Sequence, residues 1–238
     1  MSRRLLPEDD FLYCGRPPKR TKRDGVVHVS IDSTIPQIEE DAFIGCTNLV
    51  CIQLHEGLQK IGSNAFRDCR SLKSIIIPST VHAIGAGAFW DCTSLVSVHL
   101  HDRVMMIAPN TFYGCKSLAS IIIPSTVRWI GDDAFSECTS LVSVQLHEGL
   151  ERIGSDAFYD CRLLKSITLP LTIEEIGVDA FMECIELESV HLHNGLQKVA
   201  PNPLHKCKSL ASITISSLLK RLERMHSWLH QFGERAAS

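Results

Sequence analysis

The chain has no run of about 18 or more uninterrupted apolar residues, which excludes an ordinary membrane-spanning helix. Its first twenty residues, MSRRLLPEDDFLYCGRPPKR, meet acids after two leucines, so the apolar core of a secretory leader is not legible and a cytoplasmic protein is expected. The sequence also lacks a G-x-x-x-x-G-K-[ST] phosphate loop, a G-x-S-x-G nucleophile elbow and an H-E-x-x-H zinc helix. The stretch GAGAF at 85 carries two glycines of a dinucleotide fingerprint but not the third, and no long helix pattern follows it. Without these patterns an enzyme is not expected, and no cofactor is expected either. C-x-x-C pairs are missing, which removes the common spacing of a structural zinc site.

Basic charge is scarce where a nucleic-acid-binding body would need it. Of 24 Lys/Arg, seven lie in residues 1–25 and four in residues 216–238. The middle of the chain is left with net charge −8, which argues against phosphate contacts along it.

What the sequence has is repetition. AFRDCRSLKSIIIPSTVHAIG, residues 65–85, returns 92 residues later as AFYDCRLLKSITLPLTIEEIG. Cys46, Cys69, Cys92, Cys115, Cys138, Cys161, Cys184 and Cys207 stand 23 residues apart, eight of the ten cysteines in the chain. Around them runs A-F-x-x-C-x-S-L-x-S-I-x-I-P/H-x-x-V/L-x-x-I-G-x-x, without insertion. A fixed period of this length is the signature of stacked structural units. In SLKSIIIP the apolar Leu72, Ile75 and Ile77 fit a short strand with one buried side. One such strand per turn, stacked in parallel at about 4.8 Å, makes a sheet along one side of a coil.

Three further columns follow the same ruler. The residue before each A-F pair is Asp41, Asn64, Gly87, Asn110, Asp133, Asp156, Asp179 or Asn202, all favoured helix N-caps, so a short helical turn is predicted through A-F-x-x-C. Two positions earlier Gly62, Gly85, Gly131, Gly154 and Gly177 suggest a sharp bend with positive φ. Phe43, Phe66, Phe89, Phe112, Phe135, Phe158 and Phe181 form a third column, with Leu204 last. A row of rings at constant spacing is expected to be the core, each unit buried by its neighbours.

On this consensus the stretch from about 27 to 215 resembles the BspA-like leucine-rich repeats, a 23-residue type known from surface antigens. The resemblance implies an α/β-type leucine-rich repeat solenoid: right-handed, with a parallel β-sheet on one side, short helical turns on the other and a C-terminal capping helix. The expected division is a basic, disordered arm over 1–25, an N-terminal capping turn over 26–41, eight 23-residue units over 42–215, and an amphipathic helix and tail over 216–238. That helix rests on Leu218, Leu222, Met225, Leu229 and Phe232 at helical spacing, and its alternative role is self-association.

In such a fold, function lies at the positions the repeat leaves free. The outward strand column reads Gln53, Ile76, His99, Ile122, Gln145, Thr168 and His191, flanked by Val96 and Val142. Ile76, Ile122, Val96 and Val142 would form an exposed apolar patch larger than a lone monomer usually shows. The expected function is therefore a non-enzymatic scaffold, a monomer without a membrane span, that binds a protein partner on this face. The alternative is a cell-surface antigen or adhesin of the BspA-like type, which would need an export signal.

Other candidates are weaker. Stacked cysteines have parallel Cβ vectors, poor for bridging, and read as small apolar filler. Cys51 takes the place of a serine found in other units and is the candidate reactive thiol, with Cys14 in the arm a second. His55, His101, His147 and His193 recur every 46 residues, and His99 and His191 pair with two of them. Their neighbours Ile76, Pro78, Ile122 and Pro124 offer no further ligand, so no metal site is expected. RPPKRTKR, residues 16–23, has the composition of a nuclear-import signal and equally of a solvated arm.

Overall fold

The structure is a computed structural model and describes residues 10–19, 23, 25–192 and 196–215. It is a parallel β-solenoid in which each 23-residue unit makes one coil. Each coil carries a strand of three or four residues, such as Ser74–Ile76, Ser97–His99 and Ser120–Ile122, and a second strand of two, such as Ala83–Ile84 and Met106–Ile107. All pairings are parallel and all join residues 23 apart within the repeats, for example Ile75 with Val98 and Ile130 with Ile153. The second row of strands was not foreseen, because two residues cannot display a period.

The core is the column of rings. Neighbouring phenylalanines from Phe43 to Phe181 are stacked with centroids 5.2–5.4 Å apart and planes within 13° of parallel. All seven are buried, as are the eight cysteines beside them. Burial of a phenylalanine side chain stabilises by roughly 1.5–3 kcal/mol. A single coil could not supply it, since each ring is covered by the coils before and after.

The predicted helical turns are corrected: no α-helix occurs among the described residues. The reason is a pair of left-handed residues in every coil. The Asp/Asn column from Asp41 to Asn202, Gly87 included, has φ of 51–63°, and the residue before each cysteine, from Gly45 to Lys206, has φ of 54–72°. Asn, Asp and Gly tolerate this region best, which accounts for the first column without any N-cap. Between the two, N–H groups alternate in direction. Asp41, Phe43 and Gly45 donate to Ser63, Ala65 and Arg67 of the next coil at 3.0, 2.8 and 2.7 Å, while Ala42, Ile44 and Cys46 donate back within their own coil. An α-helix would turn all of them along one axis and leave the coils unlinked.

The glycine column is corrected as well. Gly62, Gly85, Gly131, Gly154 and Gly177 are not in the positive-φ region. Each instead lies against the preceding coil, so that a Cβ on Gly85 would sit 2.4 Å from the backbone nitrogen of Ser63. Their absent side chains set how closely successive coils approach.

The N-terminal arm, expected to be disordered over 1–25, contributes a strand. Asp10–Tyr13 pairs in parallel with His28–Ile31. Tyr13 is fully buried, its ring 5.1 Å from that of Phe43, and its hydroxyl accepts the Glu39 N–H at 3.1 Å. Burial pushes the Tyr13 phenol up from its usual pKa, against the lowering effect of that hydrogen bond. Phe11, on the same strand, meets Phe43 edge-on at 6.3 Å. The exposed end of the ring column is thus closed by an aromatic pair outside the repeat. The predicted helix over 216–238 and residues 20–22 of the import reading over 16–23 lie outside the described residues.

Candidate protein-binding face

The strand face is built by alternation. In Ser74–Ile76 the central Ile75 turns inward and is buried, while Ser74 and Ile76 turn out. The same alternation exposes Gln53, His99, Ile122, Gln145, Thr168 and His191, each in the expected column. Register places Ile76 beside His99, Ile122 beside Gln145 and Thr168 beside His191. The four aliphatic residues of the predicted patch are strongly exposed: Ile76 73%, Ile122 59%, Val96 51% and Val142 43%. Val50 extends it at one end, and Lys73 and Lys165 flank it.

The ion pairs among the described residues lie elsewhere. Arg152 and Lys198 both pair with Glu175 on the second strand row, holding its carboxyl below the usual range, Lys198 by the stronger hydrogen bond. Lys206 pairs with Glu183, and Arg162 with Asp160, on the turn side. The strand face can therefore take an apolar surface without desolvating these ion pairs.

The cysteine column is more than filler. Seven thiols donate to a carbonyl oxygen one coil back: Cys69 to Phe43 at 3.3 Å, and Cys92, Cys115, Cys138, Cys161, Cys184 and Cys207 to the equivalent phenylalanines at 3.1–3.2 Å. Burial raises the pKa of all seven, Cys207 to about 12. Cys51 opens the strand Cys51–Gln53 on its exposed side, and Cys14 is exposed near the arm.

Among the histidines, His99 and His101 are in ring contact, with centroids 4.6 Å apart and planes at 77°. The Nε2 of His55 lies 3.1 Å from the Ile35 carbonyl oxygen. His193, and so the second predicted pair, lies outside the described residues. Among the described residues no group of three or more His, Cys, Asp or Glu is placed to hold a metal ion, and no helix is long and apolar enough to cross a membrane.

The turn side holds an assembly that the sequence reading missed. The Arg67 guanidinium lies 4.1 Å over the Trp90 ring, Trp90 meets Tyr113 at 5.0 Å, and the Tyr113 hydroxyl donates to Glu137 at 2.6 Å. Its signal was the position after each phenylalanine, where Arg, Trp and Tyr fall in successive units. These contacts satisfy one another across four coils, which marks a surface brace.

A model of the BspA type leucine rich repeat region, six copies, matches residues 22–127 and 105–226. No curated protein matches the chain. Solved structures do. A leucine-rich repeat protein from Bacteroides ovatus aligns with TM-score 0.71 and 26% identity over 90% of this chain, which spans 65% of that protein's length. The T. pallidum leucine rich repeat protein aligns with TM-score 0.60 and 26% identity over 96% of this chain and 91% of its own. The pneumococcal vaccine antigen PcpA aligns with TM-score 0.56 over 88% of this chain and 66% of its own, at 21% identity, a likeness of fold alone.

Proposed function

Because this chain belongs to the BspA-type leucine-rich repeat family, we propose that it is a non-enzymatic scaffold that captures a protein partner on its strand face. The observation that carries this reading is the exposure of Ile76, Val96, Ile122 and Val142 on successive coils. Solvent-facing positions of a sheet do not require large aliphatic side chains, and other coils put Gln53, His99, Gln145 and Thr168 in the same column. The patch is flat and lacks ion pairs of its own, so the partner surface that fits it is itself apolar at the centre, with a polar rim to meet Lys73 and Lys165.

We place this activity in a reducing compartment, the cytoplasm. Seven of the column cysteines use the S–H proton of the reduced thiol in a hydrogen bond. A surface antigen would meet oxidising conditions that favour disulfides. Fractionation of cells expressing the tagged chain tests this placement: recovery in the soluble cytoplasmic fraction agrees with it, and recovery at the cell surface contradicts it.

The binding face is tested with the double substitution Ile76→Glu, Ile122→Glu. Both side chains point to solvent, so the chain should keep its circular dichroism spectrum while losing the protein retained by the wild type from native lysate. A folded double variant that retains the same protein removes this face from the mechanism.

A further inference from the structure

The coil around residues 101–107 breaks the repeat just after its strand, Ser97–His99. Coils that leave their strand at histidine read HEGLQKI from His55, HEGLERI from His147 and HNGLQKV from His193, but HDRVMMI from His101. Arg103 stands where the sister coils have Gly57 and Gly149. Met105 and Met106 stand where they have Gln59 with Lys60, and Glu151 with Arg152. The same two-residue strand follows in each of these coils, Lys60–Ile61, Arg152–Ile153 and Met106–Ile107, so the strand does not ask for methionine here. Both methionines are nevertheless left in solvent, Met105 at 62% and Met106 at 38% exposure.

The exchange of Glu for Asp has its own consequence. In the two sister coils that carry glutamate, it reaches the next coil: Ser79 Oγ donates to Glu56 at 3.0 Å, and the Leu171 N–H donates to Glu148 at 3.1 Å. Asp102 is one methylene shorter and makes no such bond to Ser125 among the described residues. The Arg103 guanidinium and the His82 ring likewise have no side-chain partner among the described residues. Arg128 is held at the rim by Glu151 of the next coil. These groups, with Met105, surround a groove of about 600 Å3.

We propose that this groove is a second binding site that takes a short acidic peptide segment of a partner protein, with a carboxylate held at Arg103 and a neighbouring apolar side chain laid on Met105. Charge complementarity selects the occupant. Arg128 is already paired with Glu151, which leaves the Arg103 guanidinium as the groove's cation without a side-chain partner among the described residues and open to a carboxylate. A free inorganic anion would use the guanidinium but leave Met105 in water, whereas a peptide with adjoining acidic and apolar residues uses both. Arginine suits the carboxylate because its planar donors can grip both oxygens.

The test uses a random peptide display library selected on the full chain. Selected peptides should carry Asp or Glu next to a large apolar residue. They should bind the Arg103→Gly, Met105→Gln double variant about tenfold or more weakly, and weaken as salt rises. Both replacements install residues the repeat already uses at these positions, so the variant should keep the wild-type circular dichroism spectrum, and Ile76→Glu, Ile122→Glu should leave peptide affinity unchanged. The proposal is overturned if no peptide is enriched, if the enriched peptides lack acids, if the folded double variant binds them equally well, or if inorganic phosphate displaces them as effectively as free peptide does.

Discussion

The thiol of Cys92 donates to the carbonyl oxygen of Phe66, one coil back, at 3.1 Å. The same oxygen accepts the N–H of Cys69 from its own coil at 3.1 Å. One acceptor thus ties two cysteines of successive coils to the ring column, and the small polarizable side chain serves as both packing and link.

Alkylation of the native protein should follow from this. Cys14 and Cys51 are exposed and should react readily, while the eight column thiols, all buried, should stay silent until denaturant is added. Mass spectrometry after iodoacetamide treatment should therefore find two labels per native chain. Fast labelling of most of the column would contradict the burial and the raised thiol pKa that comes with it.

Two glycines of one coil should behave in opposite ways. Gly85→Ala would force a Cβ to within 2.4 Å of backbone in the preceding coil, a clash that no side-chain rotation can relieve. Its cost is expected to be about 3 kcal/mol or more in urea unfolding. Gly87 has φ of 63°, and its nearest obstacle is the side chain of Asn64. Since asparagine holds the same place at Asn64 and Asn110, Gly87→Asn should change stability by less than about 1 kcal/mol.

How much of this could be read from the chain depended on whether a residue type has one physical use or several. Phenylalanine at a 23-residue interval can hardly be anything but core, and Phe43 to Phe181 stack as expected. Asp and Asn before A-F serve equally as helix caps and as left-handed residues, and the sequence alone favoured the wrong use. Gly62 and its column serve equally for positive φ and for close approach, and again the other use holds. The second left-handed column escaped notice because Asp68, Glu137 and Lys206 share no chemistry, although Gly45 and Gly114 stand in it. The strand Asp10–Tyr13 lies outside the repeat and had no period to reveal it. For the candidate face, the outward column was legible because alternation in a strand is strict, whereas Arg103 and Met105 fall at positions the consensus leaves free.

The stacked aspartates give a pH signature. Burial raises the pKa of the Asp156 carboxyl, and the nearby carboxylates of Asp179 and Asp132 raise it further. The folded chain therefore holds this proton more tightly than the unfolded chain does. The resulting contribution to stability is present in acid and is lost as pH climbs from the usual carboxylate range through the raised folded value. Asp156→Asn removes the repulsion and keeps a residue suited to the left-handed backbone. Its Tm at pH 7 should exceed the wild type's by on the order of 1–2 °C, and the gap should close below about pH 4. An equal gap at both pH values would show that the charge is not its source.

A partner protein seated on the strand face should shield the four aliphatic side chains from solvent. Hydroxyl-radical footprinting of the captured complex against the free chain tests it most directly. Oxidation of Ile76, Val96, Ile122 and Val142 should fall in the complex while Trp90 and Tyr113 on the turn side keep their free rates. Protection of the turn-side aromatics with the four aliphatic residues unchanged would contradict it.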